Sequence, residues 1–107
     1  MDLTYRTSTH DGWTVLALVG ELDLQTAPQL KEAIAGEEGR VALDLSEVPF
    51  MDSSCLGVIV AAHKQTLEAG GEFALTGLQD SPRKVLALTG LDEVVPIFDS
   101  VDQLPPA

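Results

Sequence analysis

Apolar residues alternate with polar ones at the start of the chain, then recur every three to four positions, and this change of period repeats down the sequence. Leu3, Tyr5 and Thr7 take every second position, and Trp13, Val15, Ala17 and Val19 repeat the alternation after His10-Asp11-Gly12. Alternation marks half-buried strands. Asp-Gly between two such runs predicts a tight hairpin, because glycine accepts positive φ without steric cost. Gly20-Glu21-Leu22-Asp23 then leaves the sheet. Thr26 is the expected N-cap of a first helix, with Pro28 tolerated in its first turn. Leu30, Ala33 and Ile34 form the apolar face of that helix, and Gly36 ends it.

Val41, Leu43 and Leu45 lie in a mostly apolar run, which predicts a central strand. A helix follows from Ser54 to about Glu68 and stops at Gly70-Gly71. On its wheel Leu56, Ile59, Val60, His63 and Leu67 share one face, the expected core stripe. Gly57, Val58, Ala61, Lys64, Gln65 and Glu68 share the other, a low-relief surface where a partner could approach the backbone around Gly57 and Ala61. The expected packing unit is therefore Val41, Leu43, Leu45, Leu56, Ile59, Val60 and Leu67. Phe73, Ala74 and Leu75 give a further strand, and Ser81-Pro82 begins a third helix, with the Ser81 hydroxyl as its cap and Pro82 at the first position, that Gly90 terminates. Val94 to Phe98 reads as a last strand, placed at an edge because it contains Pro96. A final helical turn follows between Asp99 and Leu104. The order β-β-α-β-α-β-α-β predicts an α/β domain with a mixed sheet of four to five strands, flanked by about four helices.

Length and charge narrow the function. The 107 residues suit a single domain spanning 1–107, and 45% hydrophobic content supports a packed core. Six Lys and Arg against 17 Asp and Glu give a net charge of −11, which disfavours nucleic acid and anionic membrane surfaces as partners. No apolar run approaches the length of a membrane span and no signal sequence opens the chain, so the expected location is cytoplasmic and no membrane insertion is expected. Cys55, the single cysteine, has no partner for an internal disulfide.

The chemistry concentrates at Asp52-Ser53-Ser54. An Asp-Ser-Ser turn opening a helix sets two hydroxyls beside backbone N–H groups that lack partners within the helix. A phosphate there would meet those donors and the positive end of the helix dipole. A serine nucleophile is not supported. His63 lies ten residues beyond Ser53, roughly 15 Å along a helix, and no Gly-x-Ser-x-Gly elbow is present. Glu21, Asp23, Asp44 and Asp52 are carboxylates near strand ends, but further oxygen ligands at defined spacing are not evident, so no metal is assigned. No glycine-rich phosphate loop occurs and no cofactor is expected. Cys55 falls in the first helical turn, where the dipole can lower a thiol pKa, but the reading preferred for it is a small packing residue in place of glycine.

Three segments carry a family resemblance that covers nearly the whole chain. Leu18-Val19-Gly20-Glu21-Leu22-Asp23 is similar to a Gly-Glu-Leu-Asp strand exit. Phe50-Met51-Asp52-Ser53-Ser54-Cys55-Leu56-Gly57 resembles an Asp-Ser-Ser/Thr-Gly-Leu-Gly signature, and Leu88-Thr89-Gly90-Leu91-Asp92 a Gly-Leu segment after the third helix. These are motifs of the anti-sigma factor antagonists, small bacterial STAS domains. The resemblance implies the STAS fold and a partner-switching role. The unphosphorylated antagonist would bind an anti-sigma factor with serine kinase activity and so release a sigma factor. Phosphorylation of the residue matching Ser53 would end binding, and a phosphoserine phosphatase would restore it. By the same resemblance Asp23 and Asp52 are partner-contact candidates, joined by Ser54, Cys55, Gly57 and Ala61 around the turn. Cys55 replaces the family's glycine, which implies a narrower approach to the helix start. The alternative within the fold is a non-switching STAS scaffold subunit of a lipid-transport or stressosome-like complex. A small enzyme is disfavoured by the missing base.

Overall fold

Five strands and three helices build the chain in a computed structural model that describes residues 2–106. The opening hairpin joins β1 (Thr4–His10) to β2 (Trp13–Val19) through Asp11-Gly12. Both turn residues have positive φ, 48° and 86°, as the twist of a two-residue hairpin requires. From β2 the chain passes through α1 (Ala27–Ile34) to β3 (Arg40–Glu47), and through α2 (Leu56–Glu68) to β4 (Glu72–Thr76). It then passes through α3 (Asp80–Thr89) to β5 (Ile97–Phe98). The sheet order is β1-β2-β3-β4-β5, with β1 antiparallel and every later pair parallel. Because each right-handed crossover steps to the next strand in the same direction, all three helices lie on one face.

That face holds the main core. Leu16 and Leu18 of β2, Val41, Leu43 and Leu45 of β3, and Phe73 and Leu75 of β4 meet Leu30, Ile59 and Leu86 of the three helices. The opposite face of the sheet carries a second cluster. Trp13, Val15, Ala42 and Ala74 are roofed by Phe98, Val101 and Leu104 of the C-terminal segment. Of the alternation read at Trp13, Val15, Ala17 and Val19, the first two belong to the minor core and the last two are half-buried, whereas Leu16 and Leu18, between those positions, serve the major one.

Several local expectations are corrected. Val60 and Leu67 are exposed, and the buried seam of α2 runs through Cys55, Ile59 and Ala62. Leu56 flanks the core as a half-buried residue. Small side chains at Cys55 and Ala62 let the helix sit close to the sheet, which rotates the bulkier Val60 and Leu67 out of the contact. Thr26 makes no side-chain cap to α1. Ser81 does not cap α3 either; the helix starts one residue earlier, and the Ser81 hydroxyl accepts the Met51 N–H at 3.2 Å. The last strand is only Ile97–Phe98, at the sheet edge, with Pro96 just before it. The expected terminal turn forms a short 3-10 helix, Val101–Gln103.

Candidate functional site

Loops leaving the carboxyl ends of β2 and β3 meet to form one surface. The Leu22 N–H donates to the Phe50 carbonyl, and the Asp52 N–H donates to the Leu22 carbonyl, both at 3.0 Å. This single bridge holds Asp23 and the Asp52-Ser53-Ser54 turn side by side. Thr26, buried at the base of the first loop, donates to the Glu21 carbonyl at 2.8 Å and accepts the Asp23 N–H at 2.9 Å. The Asp23 carboxylate in turn accepts the N–H groups of Gln25 and Thr26 at 2.9 and 3.0 Å. Asp23, not Thr26, therefore satisfies the free donors ahead of α1.

The second loop ends in a short 3-10 helix, Ser53–Cys55, that runs directly into α2. Asp52 caps it: the backbone is extended, and the carboxylate accepts the Ser54 N–H at 2.8 Å. Ser53 is exposed while Ser54 and Asp52 are half-buried, so Ser53 offers the open hydroxyl of the turn. Gly57 and Ala61 are also exposed, and a Cβ built on Gly57 would meet nothing within 4 Å. Together with Ser54, Gly57 and Ala61 line a groove of about 490 Å³ between α2 and the end of α1, bounded by Lys31, Ile34 and Gly36 to Gly39.

Cys55 packs in the core, as its small size suggested, and this removes it from the partner surface. It is completely buried, with its Sγ 3.4 Å from the Asp23 carbonyl oxygen. Burial, reinforced by the nearby Asp52 and Asp23 carboxylates, pushes its thiol pKa up to about 11. Proximity to a helix start does not activate it, and it can neither touch a partner nor narrow the approach to the turn. It is removed from the contact set. His63 lies over Phe73, ring centroids 6.1 Å apart, in a packing role.

Sequence reading missed two apolar side chains on this surface. Leu24 is 76% exposed and Phe50 is 42% exposed, one on each of the two bridged loops. A single leucine or phenylalanine in a loop has no periodicity, so only the bridge between the loops reveals that they neighbour the Asp52-Ser53-Ser54 turn.

An α/β sheet with its exposed polar turn at the carboxyl ends of parallel strands, reached through a Gly-Glu-Leu-Asp exit, is the arrangement the motifs implied. The family model described as the STAS domain matches residues 4–104. The chain belongs to the STAS domain family. Among STAS proteins it is similar to an anti-sigma F factor antagonist of Paenibacillus polymyxa, 34% identical over 94% of this chain and 90% of the relative. It is 40% identical to an anti-sigma-B factor antagonist of Listeria monocytogenes, over 75% of this chain and 74% of the relative. The crystal structure of an anti-sigma factor antagonist from Mycobacterium paratuberculosis superposes with a TM-score of 0.82 at 32% identity, covering 94% of this chain and 88% of that one. The STAS fold and the anti-sigma factor antagonist family expected from the sequence are thereby established. No helix among the described residues is long and apolar enough to cross a membrane.

Proposed function

We propose that this STAS domain antagonises an anti-sigma factor that is also a serine kinase, binding it when Ser53 is unmodified and releasing it once Ser53 is phosphorylated. A phosphoserine phosphatase resets the switch. The observation that carries the reading is the placement of Ser53: it is exposed, immediately follows the capping Asp52, and opens the helical run into α2. A phosphate on Ser53 adds about −1.5 to −2 charges at neutral pH. Backbone donors at the helix start tolerate that charge within the fold. At an interface it stands beside Asp52 and Asp23, where desolvating three negative groups together is unfavourable. The domain acts as a regulator and not as an enzyme, acting by occupying its partner. Asp23, Asp52, Ser54, Gly57 and Ala61 form the contact surface, with Leu24 and Phe50 as its apolar anchors.

The experiment is a pull-down from extract with and without ATP, followed by phosphosite mapping. Expected outcomes are phosphate on Ser53, retained binding by Ser53→Ala in the presence of ATP, and weak binding by a normally folded Ser53→Asp. Phosphate on Ser54, or a Ser53→Asp protein that binds like wild type, rejects the mechanism.

A further inference from the structure

The free edge of the sheet lies outside the contact surface proposed for the switch. β1 ends the sheet, and every residue from Thr4 to Thr9 is exposed. The two-residue Asp11-Gly12 loop makes His10–Trp13 a hydrogen-bonded pair. The alternation of antiparallel pairing then turns the N–H and C=O groups of Thr4, Arg6 and Ser8 towards β2. Those of Tyr5, Thr7 and Thr9 point outward, and no strand among the described residues pairs with them. Edges of this kind are ordinarily blunted by proline, bulges, charges or a covering element. β1 has no proline, its pairing with β2 runs without a register shift, and Arg6 is its one charge at neutral pH.

We infer that β1 pairs antiparallel with β1 of a second copy about a two-fold axis at Thr7, joining two sheets into one. The register selects this occupant. With Thr7 opposite Thr7, the outward groups of Tyr5 face those of Thr9 in the other copy, and about six backbone hydrogen bonds form. Arg6 then lies opposite Ser8, and Thr4 opposite His10, so no like charges meet. An axis at Arg6 would set two guanidinium groups directly opposite each other, and an axis at Ser8 would pair only Arg6 to His10, leaving out Thr4 and Tyr5 and forming about four backbone hydrogen bonds. The Thr7 register uses the whole strand and is the most favourable of the three. The contact is isologous, so it closes as a dimer. It is also small, which places it among weak interfaces.

Sedimentation velocity from micromolar to millimolar concentration tests this, with unfolding midpoints measured in parallel. Wild type dimerises with concentration, and more readily at high salt, because each copy carries a net charge of −11. Thr7→Pro removes the outward N–H at the axis without touching the β1–β2 ladder, and gives a monomer at every concentration. Thr7→Lys sets two ammonium groups opposite each other on the axis with the same result, and decides the matter should the proline variant fold poorly. Ser8→Glu faces Arg6 of the second copy and tightens the dimer severalfold. A wild type that stays monomeric throughout overturns the proposal. So does a dimer that survives both Thr7 variants, which would assign self-association to another surface such as the α1–α2 groove.

Discussion

Ser53 and Cys55 are two residues apart and have opposite environments, one exposed and one in the core. A 3-10 turn advances about 120° per residue, so two steps carry the side chain from solvent to the core. The family motif placed both residues on the partner surface; the geometry keeps Ser53 there and withdraws Cys55. Two outcomes follow for Cys55. Native protein at neutral pH resists alkylation by iodoacetamide, and urea-unfolded protein reacts readily; equal rates in both states would show the thiol is accessible. Its folded pKa of about 11 exceeds the ordinary 9.0. The folded state therefore holds this proton more tightly than the unfolded chain. The resulting stability is fully present below pH 9 and is lost as pH rises towards 11. Denaturant melts across that window should show stability falling for wild type and falling less for Cys55→Ala. Asp52 has the more conventional role, and Asp52→Ala should cost about 1 kcal/mol through the lost cap to Ser54.

The order of strands and helices was legible because most elements keep one period and are followed within two residues by a glycine or proline, the two-residue β5 being the exception. The orientation of α2 was not. Its wheel carries apolar side chains on more than half its circumference, so counting large residues favoured Val60 and Leu67, while the sheet selected the smaller Cys55 and Ala62 beside Ile59. The half-buried Leu56 accordingly matters less than a full core position. Ile59→Ala should cost about 2–5 kcal/mol, the range for emptying a packed aliphatic site. Leu67→Ala should stay within about 0.5 kcal/mol. Urea melts giving the reverse order would restore the original wheel. On the opposite side of the same helix, Ala61→Arg projects into the groove shared with α1. It should weaken partner binding with little change in unfolding midpoint, and Leu24→Glu should do the same from the neighbouring loop. Retained affinity in both variants would move the docking surface away from this end of the sheet.

Across the whole molecule the length of the sheet separates the proposed switch from the structural anchor. The Asp52-Ser53-Ser54 turn lies beyond the carboxyl end of β3, whereas Trp13 begins β2 at the opposite end of the sheet. There the indole N–H donates to the Pro105 carbonyl at 2.8 Å, and the Arg40 guanidinium stacks 4.4 Å above the ring. Arg40 also donates to Pro105 at 2.6 Å and pairs with Glu72, so one cation fastens the C-terminal segment across the sheet. Nothing in the local pattern of Val101 to Leu104 announced this strap, because its burial depends on small Ala42 and Ala74 far away in sequence. Trp13 is the single tryptophan, so its fluorescence reports on the strap and on the sheet residues beneath it. Deleting residues 99–107 should uncover Trp13, Val15, Ala42 and Ala74, shift the emission to longer wavelength and lower the unfolding midpoint. Ser53→Asp, acting at the far end and on a helix start that accepts negative charge, should leave both the emission and the midpoint close to wild type. A red-shifted Ser53→Asp protein would mean that the charge loosens the sheet itself, and partner release would then arise from altered folding and not from repulsion at the interface.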